Sequence, residues 1–140
     1  MALIDVNVLV AAHRADHPRH EVCREGLDGP YRQGFAWCAH TRNGFLRLVT
    51  HPGVFPSPTP LGIALEAVES WLRRPRAELF HDTKTSWQTF RELCHGQQTS
   101  GYAFYDLHLA SLALAHGREL VSDDQGFSRI PGLRWRKPGI

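Results

Sequence analysis

The chain alternates short continuous apolar runs with longer segments in which apolar residues recur every three or four positions. Residues 2–5 (ALID) read as a buried strand, and residues 7–14 follow directly as a short helix. Asp16, His17 and Pro18 mark a second helix start, with Asp16 or His17 as cap and the proline in the first turn. That helix runs to about Leu27, carries Val22, Cys23 and Leu27 on one side, and is broken by Gly29 and Pro30. Residues 35–38 (FAWC) are a second strand candidate. Thr41 then caps a helix to about Thr50, stopped near Pro52 and Gly53.

The strongest helical pattern begins at Thr59 and Pro60, a cap followed by proline at the first helical position. Leu61, Ala64, Leu65, Val68, Trp71 and Leu72 then form one apolar face, and Pro75 ends it. Residues 77–80 are a third strand candidate, and Thr83 or Thr85 opens a helix carrying Trp87, Phe90, Leu93 and Cys94. After a polar break over residues 96–101, a helix over 102–116 closes on Gly117 as a left-handed stop. Residues 119–122 read as a strand, 123–130 as a loop and 133–135 as a final edge strand. Strands alternating with helices predict an α/β fold with a mainly parallel central sheet flanked by helices. No linker, repeat or low-complexity stretch divides residues 1–140, so a single domain is expected.

Composition narrows the function classes. Of 140 residues, 42% are hydrophobic and 21% charged, as in an ordinary soluble domain, and the net charge of +2 provides no broad basic field. Any nucleic-acid surface must therefore be local. The cysteines Cys23, Cys38 and Cys94 lack the spacing of a zinc site and read as reduced thiols of a cytosolic protein. The N-terminal run contains Asp5 and has no basic flank, and nothing approaches a membrane span, so a cytoplasmic location with no membrane contact is expected. No GxGxxG or phosphate-loop motif is present.

Acidic residues are few, 14 in all, and three of them fall where chemistry collects in such sheets. Asp5 closes the first strand, Asp124 lies just beyond the strand at 119–122, and Asp106 sits early in the helix over 102–116. Taken singly, Asp5 is also explained as a helix cap and Asp124 as a turn residue. Together they suit a hard, oxygen-preferring ion such as Mg²⁺ or Mn²⁺, which can activate water and stabilise charge on phosphate oxygens. An aspartyl phosphoryl-transfer site fits less well, because Asp5-Val6-Asn7 lacks a second acid.

The segments LIDVNVLVAA, TRNGFLRLVTHP, DLHLASLALAHG and LVSDDQGF, in that order over nearly the whole chain, resemble the PIN-domain toxins of the VapC type. The tail GLRWRKP is similar as well. The resemblance implies a three-layer PIN-like fold and a Mg²⁺- or Mn²⁺-dependent endoribonuclease. It also implies a homodimer, a cognate VapB-type antitoxin, and structured RNA, tRNA or rRNA, as substrate. By position it assigns Asp5, Asp106 and Asp124 to the metal, with Asp123 as a further candidate ligand. Asn7 and Ser122 are assigned to site support. One departure stands out: a glutamate usual before the GFLR segment is matched here to Arg42. Arg42 then points away, binds substrate phosphate, or impairs the site, leaving a module that binds antitoxin or RNA without cleaving it. Asn43 could supply a neutral oxygen in place of the lost acid.

Other groups receive plainer readings. Arg47 is a candidate phosphate contact or a core-edge anchor. Arg73, Arg74 and Arg76 are explained by a helix C-terminus. Arg129, Arg134, Arg136 and Lys137 around Trp135 read as a solvated edge strand in preference to a single-stranded RNA surface, His13, His17 and His20 as an exposed face in preference to a weak metal cluster, and Trp71 and Trp87 as core or dimer surface. His108 is placed away from any metal.

Overall fold

The computed structural model describes residues 1–97, 101 and 103–139. Its elements, in chain order, are β1 (Ala2–Ile4), α1 (Val6–His13), α2 (His20–Asp28), β2 (Ala36–Trp37), α3 (Ala39–Val49) and α4 (Leu61–Leu72). There follow β3 (Glu78–Leu79), α5 (Lys84–Gln97), α6 (Ala103–Ala115), β4 (Glu119–Val121), a 3₁₀ turn (Gln125–Arg129) and β5 (Trp135–Arg136). The five strands form one sheet in the order β3-β2-β1-β4-β5, with every pairing parallel.

Both faces of the sheet's centre are covered, which explains why β1 and β2 are apolar and buried throughout, whereas the edge strands β3 and β5 carry Glu78 and Arg136. Successive side chains alternate between faces: Ala2, Ile4, Trp37 and Val121 join the core under α1–α4, whereas Leu3, Ala36 and Leu120 join the core under α5 and α6. Trp71 and Phe45 close the first core against Trp37, with ring centroids 5.7 Å apart for Trp71–Trp37 and 5.3 Å for Trp71–Phe45. Small side chains Ala110, Ser111 and Ala113 are fully buried and let α6 lie close to the sheet. The α/β, three-layer expectation is met.

Local chemistry shifts several boundaries. The second helix starts at His20, because the His17 ring accepts the Arg19 N–H at 3.0 Å and ties residues 17–19 into a turn. The third starts at Ala39, because Thr41 sits inside it and its hydroxyl accepts the Cys38 N–H at 3.1 Å. Pro60 precedes α4 instead of opening it. Of the two threonines before α5, Thr83 is the cap: its hydroxyl accepts the Ser86 N–H at 3.0 Å. Gly117 takes φ +64 after α6, as its stop position requires. Tyr102, in the expected first turn of α6, and residues 98–100 of the polar break lie outside the described residues.

Some side chains do other work than their neighbours in sequence imply. Arg74 does not serve the end of its own helix: it caps α2, donating to the Leu27 carbonyl and pairing with Asp28 at 2.9 Å. His13, His17 and His20 are half-buried, not an exposed face, because α1 and α2 pack together and draw their rings inward. His13 bonds Thr59 at 3.1 Å and His20 bonds the Ala11 carbonyl at 2.9 Å. Around β5, Arg136 pairs with Glu119 at 2.8 Å and the Trp135 indole N–H donates to the Ser122 carbonyl at 3.0 Å. Trp87 is 57% exposed and so is not core. All three cysteines are free.

Candidate active site

The strand order creates a switch point. From β1 the chain steps outward to β2 and β3, and later returns on the other side of β1 with β4 and β5. Helical connections therefore diverge at the carboxyl ends of β1 and β4, leaving a crevice there. Ile4 pairs with Val121, so the residues that leave the sheet side by side are Asp5 and Ser122.

Asp5 is the N-cap of α1, and its Oδ1 accepts the Val6 N–H at 2.7 Å. Its Oδ2 accepts the Ser122 hydroxyl at 2.7 Å. Ser122 is fully buried, and its oxygen in turn accepts the Asn7 side-chain N–H at 3.2 Å and the Asp124 N–H at 3.0 Å. The Asn7 amide oxygen accepts the Asp123 N–H at 3.3 Å. One serine and one asparagine thus lock the start of α1 to the loop after β4. Asp124 caps the 3₁₀ turn through the Gly126 N–H at 2.8 Å.

A cleft of about 1,000 Å³ opens over this network. Asp5, Asp106 and Asp124 line it together with Asn7 and Asn43, and His17, His40, Arg47 and Tyr105 complete its polar wall. The first turn of α6 supplies Asp106. The α3 wall comes close because position 44 is glycine, where a Cβ would meet a Val6 methyl at 3.0 Å. A second pocket of about 400 Å³, under α2 and β5, contains none of the three carboxylates.

The electrostatics couple the three acids. Partial desolvation at the cleft wall, followed by the charges of Asp5 and Asp124, pushes the still partly exposed Asp106 carboxyl up to about 6. Burial raises Asp5 as well, against the lowering effect of the Ser122 and Val6 hydrogen bonds, and Asp124 adds to the rise. A bound cation would relieve both. Among the described residues, no three His, Cys, Asp or Glu side chains form a compact metal cluster. The donor set still fits a hard ion: the donors are all oxygen, and Mg²⁺ commonly keeps several waters while taking only one or two carboxylates directly. Asp5, Asp106 and Asp124 are the residues placed to hold it.

Two expected site residues are directed elsewhere. Asp123 turns from the cleft and pairs with Arg19, at 2.9 and 3.3 Å, while Arg19 also donates to the Pro138 carbonyl at 3.2 Å. The Cys23 thiol donates to the same carboxylate at 3.7 Å and is pushed up to about 12, mainly by burial, so it stays protonated. Asp123 is a structural anchor for α2 and the C-terminal segment. Arg42 does not line the cleft; its guanidinium donates to the Asn43 side chain at 3.2 Å. The reason is helical phase: residues 40, 43, 44 and 47 share the face turned to the cleft, and position 42 does not. Of the two neighbours, Asn43 and not Arg42 is the one that lines the cleft.

Sequence reading missed His17, His40 and Tyr105. The three-and-four spacing of His40, Asn43, Gly44 and Arg47 was a usable signal for the first wall, and the adjacency of Tyr105 to Asp106 for the second. Nothing local marked His17.

Comparisons with known proteins identify the family. The PIN domain family description matches residues 2–133. The chain is 38% identical over 144 residues to VapC ribonuclease Mb2897 of Mycobacterium bovis, spanning 99% of this chain and 95% of that one. It is 34% identical over 142 residues to Ribonuclease VapC37 of Mycobacterium tuberculosis, spanning 99% and 97%. Its fold is similar to VapBC2 from Rickettsia felis, solved bound to a DNA fragment from their promoter, with a TM-score of 0.71 and 20% identity over 98% of each chain. The chain belongs to the PIN-domain family, in its VapC branch.

Proposed function

We propose that this protein is a metal-dependent endoribonuclease, the toxin of a toxin–antitoxin pair, acting in the cytoplasm on structured RNA such as tRNA or rRNA. The observation that carries the reading is the meeting of Asp5, Asp106 and Asp124 in one cleft at the sheet's switch point, with Asp106 raised by desolvation and by the other two charges. The names of its relatives support ribonuclease activity, and the neighbouring VapBC2 complex supports a VapB-type antitoxin.

A bound Mg²⁺ or Mn²⁺ would supply a Lewis acid for the phosphodiester and lower the pKa of a coordinated water. The chain's own residues prepare that chemistry. Ser122 and the Val6 N–H hold the Asp5 carboxylate in one orientation and favour its ionised form. Asn7 keeps the Ser122–Asp124 loop in register with α1. Asn43 offers a neutral oxygen donor, and Arg47 offers the cleft a positive charge for substrate phosphate. Arg42 stands outside the cleft, so its charge is not set among the carboxylates.

Exposed apolar side chains remain for partner chains: Leu61, Ile63 and Leu65 on α4, and Trp87 and Phe104 on α5 and α6. They support a homodimer as well as the antitoxin contact. No helix among the described residues is long and apolar enough to cross a membrane. The test is cleavage of total tRNA and rRNA with Mn²⁺ or Mg²⁺, set beside EDTA. Discrete metal-dependent products are expected, and intact RNA under every metal condition would refute the enzyme.

A further inference from the structure

One wall of the cleft is aromatic. His40, in the first turn of α3, and Tyr105, in the first turn of α6, stack with centroids 4.9 Å apart and planes 8° from parallel. Both line the cleft with the carboxylates, and Tyr105 directly precedes Asp106. The Tyr105 side of the pair is not covered: the residue is 55% exposed, although a large ring beside a packed helix would ordinarily be drawn into the core. A flat, supported and open ring is a surface on which a nucleobase can stack, and stacking of this kind tolerates any base.

Arg47 stands two helical turns along the same face of α3, about 10 Å from His40 by helix rise. It is exposed, lines the cleft, and among the described residues forms no ion pair, even though three carboxylates line the same cleft. A cation left unpaired beside acids is placed for an anion that arrives with the substrate. Duplex RNA keeps its bases stacked on each other, whereas loops and single strands can turn a base outward onto an aromatic ring.

Resting on the ribonuclease reading, we propose that the His40–Tyr105 stack is a base-binding platform, and that Arg47 contacts the accompanying phosphate in a subsite for an unpaired nucleotide. His40 acts as the backing that holds Tyr105 flat. The subsite selects RNA in which a nucleotide beside the cleavage point is unpaired, without strong preference for its identity.

The test uses the full-length chain in two forms, wild type for cleavage and Asp5→Asn to block cleavage for binding. The binding probe is a fluorescein-labelled, mixed-sequence 12-nucleotide single-stranded RNA, with a 12-base-pair RNA duplex beside it, read by anisotropy. Tyr105→Ala is expected to weaken single-strand binding about tenfold and leave duplex binding unchanged, whereas Tyr105→Phe and Tyr105→Trp keep the parent affinity. Arg47→Ala is expected to lower the salt slope by about 0.7, the value for one single-strand phosphate. Unchanged melting temperatures verify the fold of each variant. Parent-like binding and cleavage by Tyr105→Ala would overturn the platform while leaving the ribonuclease standing. An equal loss in Tyr105→Phe would overturn stacking in favour of the hydroxyl, and an unchanged salt slope would remove Arg47. If the wild type neither binds nor cleaves RNA, the enzyme reading falls and the subsite with it.

Discussion

Asp5 and Asp106 line the same cleft but are held in different ways. Asp5 sits at a strand end, accepts hydrogen bonds from Val6 and Ser122, and belongs to a network that ties α1 to the loop after β4. Asp106 projects from the first turn of a helix, stays exposed, and among the described residues accepts no side-chain or turn hydrogen bond that would stabilise its charge. The strand-end half of the site therefore fixes geometry, while the helix half supplies a carboxylate whose charge is uncompensated in the metal-free chain and would be offset by the proposed cation. Both acids are raised, but only Asp5 has hydrogen bonds working against the rise.

Replacing the acids separates these roles. Asp5→Asn and Asp106→Asn should each reduce RNA cleavage by more than about 100-fold, since even residues behind the ligands cost 10- to 100-fold in such sites. An initial-rate assay with excess Mn²⁺ decides this, and a surviving rate in either variant would break the pairing of the two halves. Ser122→Ala comes next, with an expected loss of about 10- to 100-fold in cleavage or metal affinity. It should also destabilise the fold by about 1–3 kcal/mol in urea titration, because the Asp5 carboxylate and Asn7 amide lose a buried partner.

The pH dependence sharpens the contrast further. A cation needs Asp106 ionised, so metal affinity should fall as pH drops through about 6, approaching tenfold per unit below it. Stability runs the other way. The folded carboxyl is raised above its value of 3.8 in the unfolded chain, so the folded protein binds more protons between about pH 4 and 6 and loses stability across that window as pH rises. Asp106→Asn should thus raise the metal-free melting temperature at pH 7.5 and leave it unchanged near pH 4. Solvent screening of this exposed group limits the gain to on the order of 1 kcal/mol, or about 2–4 °C. The smallest catalytic effect belongs to Asp123→Asn. It should lower stability by about 1–2 kcal/mol through the loss of the Arg19 pair while cleavage changes less than about threefold.

What the sequence made legible follows from the range of the forces involved. Asp5 and Asp124 stood at the ends of apolar runs, a local pattern, and the parallel sheet then placed them together. Asp106 gave a weaker local signal, because an acid in the first turn of a helix is ordinarily a dipole partner, and the family resemblance strengthened it. Of the three outcomes left open for Arg42, the side chain stands outside the cleft, because one position along α3 rotates a side chain by about 100° and motif letters carry no helical phase. Asp123 looked like a ligand because its true partner, Arg19, lies 104 residues away. Pairings at that distance are decided by packing, which also drew His13 and His20 between helices and turned Arg74 to the end of α2.

Calorimetric Mn²⁺ titration of four metal-free proteins at pH 7.5 tests the central claim most directly: wild type, Asp106→Asn, Asp124→Asn and Asp123→Asn. Saturable binding to wild type and Asp123→Asn with similar affinity is expected, with a loss of at least about tenfold in the other two. Binding that survives in Asp106→Asn and Asp124→Asn but disappears in Asp123→Asn would contradict that claim.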